Sequence, residues 1–309
     1  MSLLTVGSVA FDAIETPFGK TDKIIGGAAT YIALAASFYN KDQKIVAVVG
    51  DDFPQAMLDQ LTSLGVDLEG LQIKEGEKSF FWSGKYHNDM NSRDTLITEL
   101  NVLEHFDPII PASYQGVEYV MLGNLSPQVQ KMVIERLTER PKLIAMDTMN
   151  FWMDIAMDDL KETISMVDLL IINDEEARQL SGEYSLVKAS KVIRAMGPKY
   201  LIIKKGEHGA LLFHGEKIFY SPALPLEEVF DPTGAGDTFA GGFMGYISST
   251  DDHSFENMKR AMIHGSALAS YCVEKFGTEQ LENITPADLD ARIAEFVSLA
   301  NFEITPVIS

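Results

Sequence analysis

The chain has 309 residues, 46% of them hydrophobic, and its 45 acidic and 25 basic side chains give a net charge of −20. Such a field repels polyanions and anionic lipid, which argues against nucleic-acid or membrane-surface binding and leaves small ligands held by a local site. A single cysteine, Cys272, rules out an internal disulfide, and "MSLLTVGSVAFDAIE" puts no basic region ahead of its short apolar run, so a cytoplasmic protein with no membrane span is expected.

Along the chain, short apolar runs alternate with longer amphipathic ones. "LLTVGSV", "KIVAVVG", "YVMLGN", "KLIAMD", "LLIIN" and "YLIIKKG" are brief and bounded by Gly, Asp or Asn, as strands buried on both faces are. "GAATYIALAASFYN", "FPQAMLDQLTSLG", "SPQVQKMVIERLTE", "DEEARQLSG" and "SLVKASKVIRAMG" supply helices between them. This alternation predicts one α/β domain over 1–309, a mostly parallel sheet with helices on both faces. Two stretches break the rhythm, about 9–25 and about 71–100. They read as a small β lid in which "SFFWSGKY" and "DTLITEL" form a hairpin around "HNDMNS". After "GDTFAGGFMGYI" the chain is mostly helical to about Ala300.

"DPTGAGDTFAGGF", Asp231 to Phe243, sets a glycine-rich turn before a helix. Neither standard phosphate fingerprint applies. "FGKTD" has Ile14 where a Walker loop needs its first glycine, and the third glycine of G-x-G-x-x-G would fall on Phe239. The missing dinucleotide fingerprint sets aside an NAD enzyme. What remains is a helix N-terminus, with Gly234, Ala235 and Gly236 small enough to admit a ligand to unpaired amides. Asp237 then stands beside an anion site. On an arbitrary helix it would only complement the dipole. Beside a held phosphoryl group, a carboxylate is tolerable if it faces an incoming hydroxyl and takes its proton, as general-base phosphoryl transfer requires.

These residues resemble the ribokinase-like (PfkB) sugar and nucleoside kinases. "DPTGAGDTFAGGF" looks like that family's C-terminal signature and "IIGGAATYIALAA" its N-terminal glycine motif. "INDEEARQL" is similar to its N-x-x-E motif and "IKKGEHGALLF" to its nucleotide loop, all in order from about Leu3 to Thr285. The resemblance implies a three-layer α/β/α fold and an ATP-dependent kinase using Mg²⁺. It implies Asp237 as base, with Gly234, Ala235 and Gly236 as the anion hole. Asp12 would bind acceptor hydroxyls, with Gly26 and Gly27 close by. Asn173 and Glu176 would organise Mg²⁺ through water, although on their own they read as a helix capping box. Lys204, Gly206 and Gly209, with the helix around His264, would border ATP. Asp231 and Thr233, with carbonyls around Cys272 and Gly277, resemble a K⁺ loop.

The acceptor site departs from the pattern. Ala10 and Tyr31 stand where sugar sites often carry asparagines, which leaves a more apolar site. "DTMNFW" keeps Asp147 and Asn150 but has Trp152 near the place of a basic residue, which disfavours an acidic sugar. Trp82, Phe81 and Tyr86, with Phe151 and Trp152, offer stacking faces, or else lid packing and a homodimer contact. The leading expectation is phosphorylation of the primary hydroxyl of a small sugar or sugar derivative. The alternatives are a nucleoside kinase and a non-catalytic sugar- or nucleoside-binding regulator.

Overall fold

The computed structural model describes residues 1–301 and 303. The chain opens with β1 (Leu3–Val6), β2 (Ala10–Thr16), β3 (Gly19–Lys20), β4 (Ile24–Gly26) and α1 (Ala28–Ala36). It continues through β5 (Gln43–Gly50), α2 (Gln55–Ser63), β6 (Val66–Lys74), β7 (Phe81–Tyr86) and β8 (Arg93–Glu99). The middle holds β9 (Tyr119–Leu122), α3 (Pro127–Arg136), β10 (Leu143–Asp147), α4 (Asn150–Ile155), α5 (Met157–Ile164) and β11 (Leu169–Asn173). Then come α6 (Asp174–Ser181), α7 (Leu186–Arg194), β12 (Tyr200–Lys204), β13 (Ala210–His214) and β14 (Lys217–Ser221). Helices α8 (Ala235–Thr250), α9 (Phe255–Cys272), α10 (Glu279–Asn283) and α11 (Pro286–Ala300) close it.

Nine strands form the central sheet in the order β14-β13-β12-β11-β10-β9-β1-β5-β6. The pairs from β12 to β6 are parallel, and β13 and β14 add an antiparallel edge. All six apolar runs read as strands lie in the parallel part. Alternate residues of each strand feed opposite faces. On one face Leu4, Val6, Ile144, Leu170 and Leu201 pack with residues of α3, α5, α6 and α7. On the other Leu3, Ala145, Leu169 and Ile202 pack under α1, α8 and α9. The result is the α/β/α layering expected.

The order reverses at β1 and β9: the chain runs outward through β5 and β6, then returns to lay β9 to β12 on the other side. Open parallel sheets bind ligands beyond the carboxyl ends of their strands at such a reversal. Asp147, Asn173 and Lys204 are the last residues of β10, β11 and β12.

A second sheet, β3-β2-β7-β8 with β4 on β2, stands apart as the lid. Its second segment begins at Phe81, not near residue 71. Residues 71–74 continue β6, paired with β5 as far as Lys74 opposite Gly50. An alternating half-buried strand looks alike on either sheet, and only pairing distinguishes them. Phe11 lies opposite Phe81 and Asp12 opposite Trp82 in parallel register. Phe11 packs at a tilt against Phe53 and joins the aliphatic residues of β5 and α2. The Asp12–Trp82 face is therefore the other one, and it overlooks the strand ends.

Candidate active site

Helix α8 begins at Gly234, in the left-handed region at φ 75°, with no side chain capping it. The Ala235 amide bonds the Pro232 carbonyl at 3.2 Å, which leaves the Gly236 and Asp237 amides of the first turn for a ligand. A Cβ on Gly236 would lie 2.8 Å from the Lys204 ammonium nitrogen, so glycine is what lets that cation reach the turn. Lys204 pairs with Asp147 at 3.1 Å. Burial opposes the charge on Lys204, but Asp147, Glu176 and Asp237 outweigh it and hold its pKa above the ordinary lysine value. Gly241, Gly242 and Gly245, further along α8, are packing residues: added Cβ atoms would strike Ile32, Leu268 and Ala36.

Asp237 is partly exposed, so the cleft reaches it. Desolvation and then the Asp147 carboxylate raise its pKa, against the pull of Lys204 and Arg93. Asp12 is 6% exposed, and burial, Asp231 and Asp237 raise its pKa to about 7. Gly26 cradles it: a Cβ there would sit 1.9 Å from the carboxylate. Gly27 follows at φ 93° as the N-terminal residue before α1. Trp82 stands beside Asp12 and bonds Thr95 at 3.3 Å. Asp12, Gly26, Gly27, Trp82 and the Gly234–Asp237 turn are thus brought to one cleft.

Asn173 and Glu176 form the capping box: Asn173 N–H donates to Glu176 at 2.7 Å and Glu176 N–H to Asn173 at 2.8 Å. The box leaves Glu176 buried with a pKa raised first by desolvation and then by Asp147. Among the described residues no three acidic, histidine or cysteine side chains group to hold a metal, so Glu176 beside Asp147 suits only a divalent cation held mostly by water and phosphate oxygens. Asp231 is fully buried and accepts from the Thr233 and Gly277 amides at 2.8 and 2.9 Å. The Cys272 thiol, pushed up to about 12 by burial, lies 3.6 Å from the Thr233 carbonyl. These four residues meet in one loop cluster. In the turn after Lys204, Gly206 and Gly209 have φ of 54° and 73°, and Lys205 N–H bonds the Gly209 carbonyl.

Three residues are not brought to the cleft. Tyr31 is 1% exposed beneath the turn, with its ring where a Gly234 Cβ would be and its hydroxyl unpartnered. Its buried ring packs against the Gly234 turn. Asn150 bonds Gln179 on α6. His264 stacks on Tyr246 and bonds Tyr39 at 2.8 Å, and burial lowers its pKa to about 4. It is Ser266 that approaches β14 near Gly209, at 3.4 Å from Ser221. Two positions along α9 turn a side chain by about 200°.

The lid adds one contact and one residue, Arg93, that sequence reasoning missed. Thr233 donates to the Tyr86 hydroxyl at 3.2 Å, pinning β7 to the loop before α8. Arg93, opposite Tyr86 in the hairpin, lies 5.9 Å from the Trp82 ring, and its charge is felt by both Asp237 and Glu176. A lone arginine beside "HNDMNS" carried no signal. An uncapped helix start, a nearby lysine, a reachable carboxylate and an overlying lid are the kind of groups phosphoryl transfer requires.

The pfkB family carbohydrate kinase model matches residues 2–284. The chain belongs to that family. This PfkB-family kinase is 32% identical over 250 residues to a cytidine kinase of Thermococcus kodakarensis, covering 79% of this chain and 87% of that one. Its fold is that of a Burkholderia thailandensis nucleoside kinase in complex with inosine (TM-score 0.76, 21% identity, 96% and 98% covered). It is also that of a putative ribokinase II from E. coli in complex with ATP and Mg²⁺ (TM-score 0.75, 18% identity, 95% and 99% covered). The PfkB-family chain is accordingly a kinase of the sugar and nucleoside group that uses ATP. Among the described residues, no helix is long and apolar enough to cross a membrane.

Proposed function

We propose that the protein transfers the γ-phosphoryl group of ATP to the primary hydroxyl of a nucleoside. The observation that carries the chemistry is the meeting of Asp237 and Asp12 at an uncapped helix start beside Lys204. Asp12 and the Gly26–Gly27 backbone orient the acceptor sugar. Asp237 removes the hydroxyl proton as the oxygen attacks phosphorus. The bond from phosphorus to the ADP oxygen breaks, and ADP leaves. The amides of Gly234, Gly236 and Asp237 and the Lys204 ammonium take up charge on the moving group. Glu176 and Asn173 would hold Mg²⁺, which when bound neutralises phosphate charge. Asp231, Thr233, Cys272 and Gly277 form the loop that a monovalent cation would brace.

A nucleoside rather than a bare sugar is favoured by Trp82. It pairs in register with Asp12 and lays its indole over Gly84 on the same lid face, where an acceptor's base can stack. The Thermococcus and Burkholderia similarities point the same way. A coupled assay of ADP formation tests it with cytidine, inosine, adenosine and ribose, each with Mg²⁺ and with or without K⁺. At least one nucleoside is expected to outperform ribose in kcat/KM. Turnover of ribose alone would return the acceptor to the sugars. Binding of these ligands without ADP formation would make the protein a regulator.

A further inference from the structure

We propose that Asn91, at the tip of the lid hairpin, is a positioning residue for the donor: it seats the lid on the nucleotide loop, so that one closure covers donor and acceptor together. The inference rests on the kinase reading above. The lid crosses the cleft between two anchor points. At one end Tyr86 bonds Thr233, before α8. At the other the Asn91 amide oxygen is so close to the loop that a Cβ on Gly206 would lie 2.6 Å from it.

The tip is built to present that oxygen. Asp89 accepts from the Asn91 and Ser92 amides at 3.1 and 2.9 Å and from the Ser92 hydroxyl at 2.6 Å. The Asn91 side-chain nitrogen is held by the Asp89 carbonyl at 3.1 Å. With its nitrogen tied back, the oxygen is what remains to meet Gly206. Arg93, two residues on, is then carried over the carboxylates between the anchors. A nucleotide bordered by the Lys204–Gly209 turn would have to pass this contact to leave. Acceptor-bound closure should therefore slow nucleotide exchange, an effect that a lid covering the acceptor alone would not produce.

The test is stopped-flow release of a fluorescent N-methylanthraniloyl ADP. It is run with and without the acceptor that proves active in the panel above, for the parent, Asn91→Gly and Asp89→Ala. Both substitutions lie at an exposed tip, and thermal midpoints would verify folding. In the parent, acceptor slows release. Asn91→Gly restores faster release by about 2- to 5-fold with acceptor present, the rate equivalent of one Cα–H···O contact. It leaves release without acceptor unchanged and raises KM for ATP without lowering kcat. Asp89→Ala, which removes the carboxylate that holds the Asn91 and Ser92 backbone amides and so loosens the tip, moves the same way by less. Release that acceptor does not slow, or that Asn91→Gly speeds equally with and without acceptor, overturns the proposal. A panel with no active acceptor, or no ADP binding, removes the kinase reading and this inference with it. ADP binding with tip-insensitive release removes this inference alone.

Discussion

Strands β1, β9 and β10 are buried at every residue, whereas all seven residues of β8 are exposed. The first set ends at Asp147 and its neighbours and carries the groups that must not move, because parallel strands packed on both faces are held by the whole core. The second belongs to a sheet whose root, at Phe11, is packed into the core beside β5 and α2, but whose outer part is fastened by few further contacts. These are the Tyr86–Thr233 bond, the Phe18–Phe230 ring pair at 5.5 Å, the approach of Phe276 to Gly19, and the Asn91 tip at Gly206. Elements with few buried contacts open at low cost. The difference teaches a division of labour: the platform sets the chemistry and the lid sets access.

That division can be broken by variants on either side of the cleft. The largest effect belongs to the platform. Asp237→Asn should lower kcat by about 10²- to 10⁴-fold while ATP binding, read by calorimetry, persists. Equal losses in kcat and ATP affinity would mean that the acid holds the turn rather than serving the acceptor. Next comes the lid carboxylate. Asp12→Asn should raise KM for the acceptor by about 10- to 100-fold, the range for a lost charged hydrogen bond.

The same variant has a stability signature with a definite sign. The folded pKa of Asp12 is raised from 3.8 to about 7, so its contribution to stability is fully present below 3.8 and is lost as pH rises through about 7. Asp12→Asn should therefore be more stable than the parent at pH 8, by on the order of 4 kcal/mol, with no gain at pH 3, as urea melts would measure. A penalty that vanishes in the variant at pH 8 is one the acceptor site imposes on the fold.

Asp237 offers a pH test of the platform. Its raised pKa requires that kcat fall with acid from a limb lying above the ordinary aspartate value of 3.8. A kcat flat down to pH 4 would remove it as the base. The smallest effect sharpens the lid side: Tyr86→Phe loses the bond to Thr233 and should raise acceptor KM by about 2- to 10-fold with kcat nearly unchanged. A kcat loss larger than the KM change would place the lid in the chemistry itself.

What the amino-acid order determined by itself was local. Alternation of short apolar runs with amphipathic ones is enough to specify a parallel sheet between helices. Three small residues before an acid specify an open helix start, and Asn173 with Glu176 close a capping box within four residues. Each needs only neighbours along the chain. Tertiary structure alone decided which faces meet. It brought the Lys204 ammonium to Gly236, turned Tyr31 under the turn, directed His264 toward Tyr246 while its near neighbour Ser266 met Ser221, and ended the main sheet at Lys74 instead of 71. It also laid Asn91 and Arg93 across the cleft. Those outcomes depend on strand pairing and helix rotation, where one residue of shift exchanges a buried face for an exposed one.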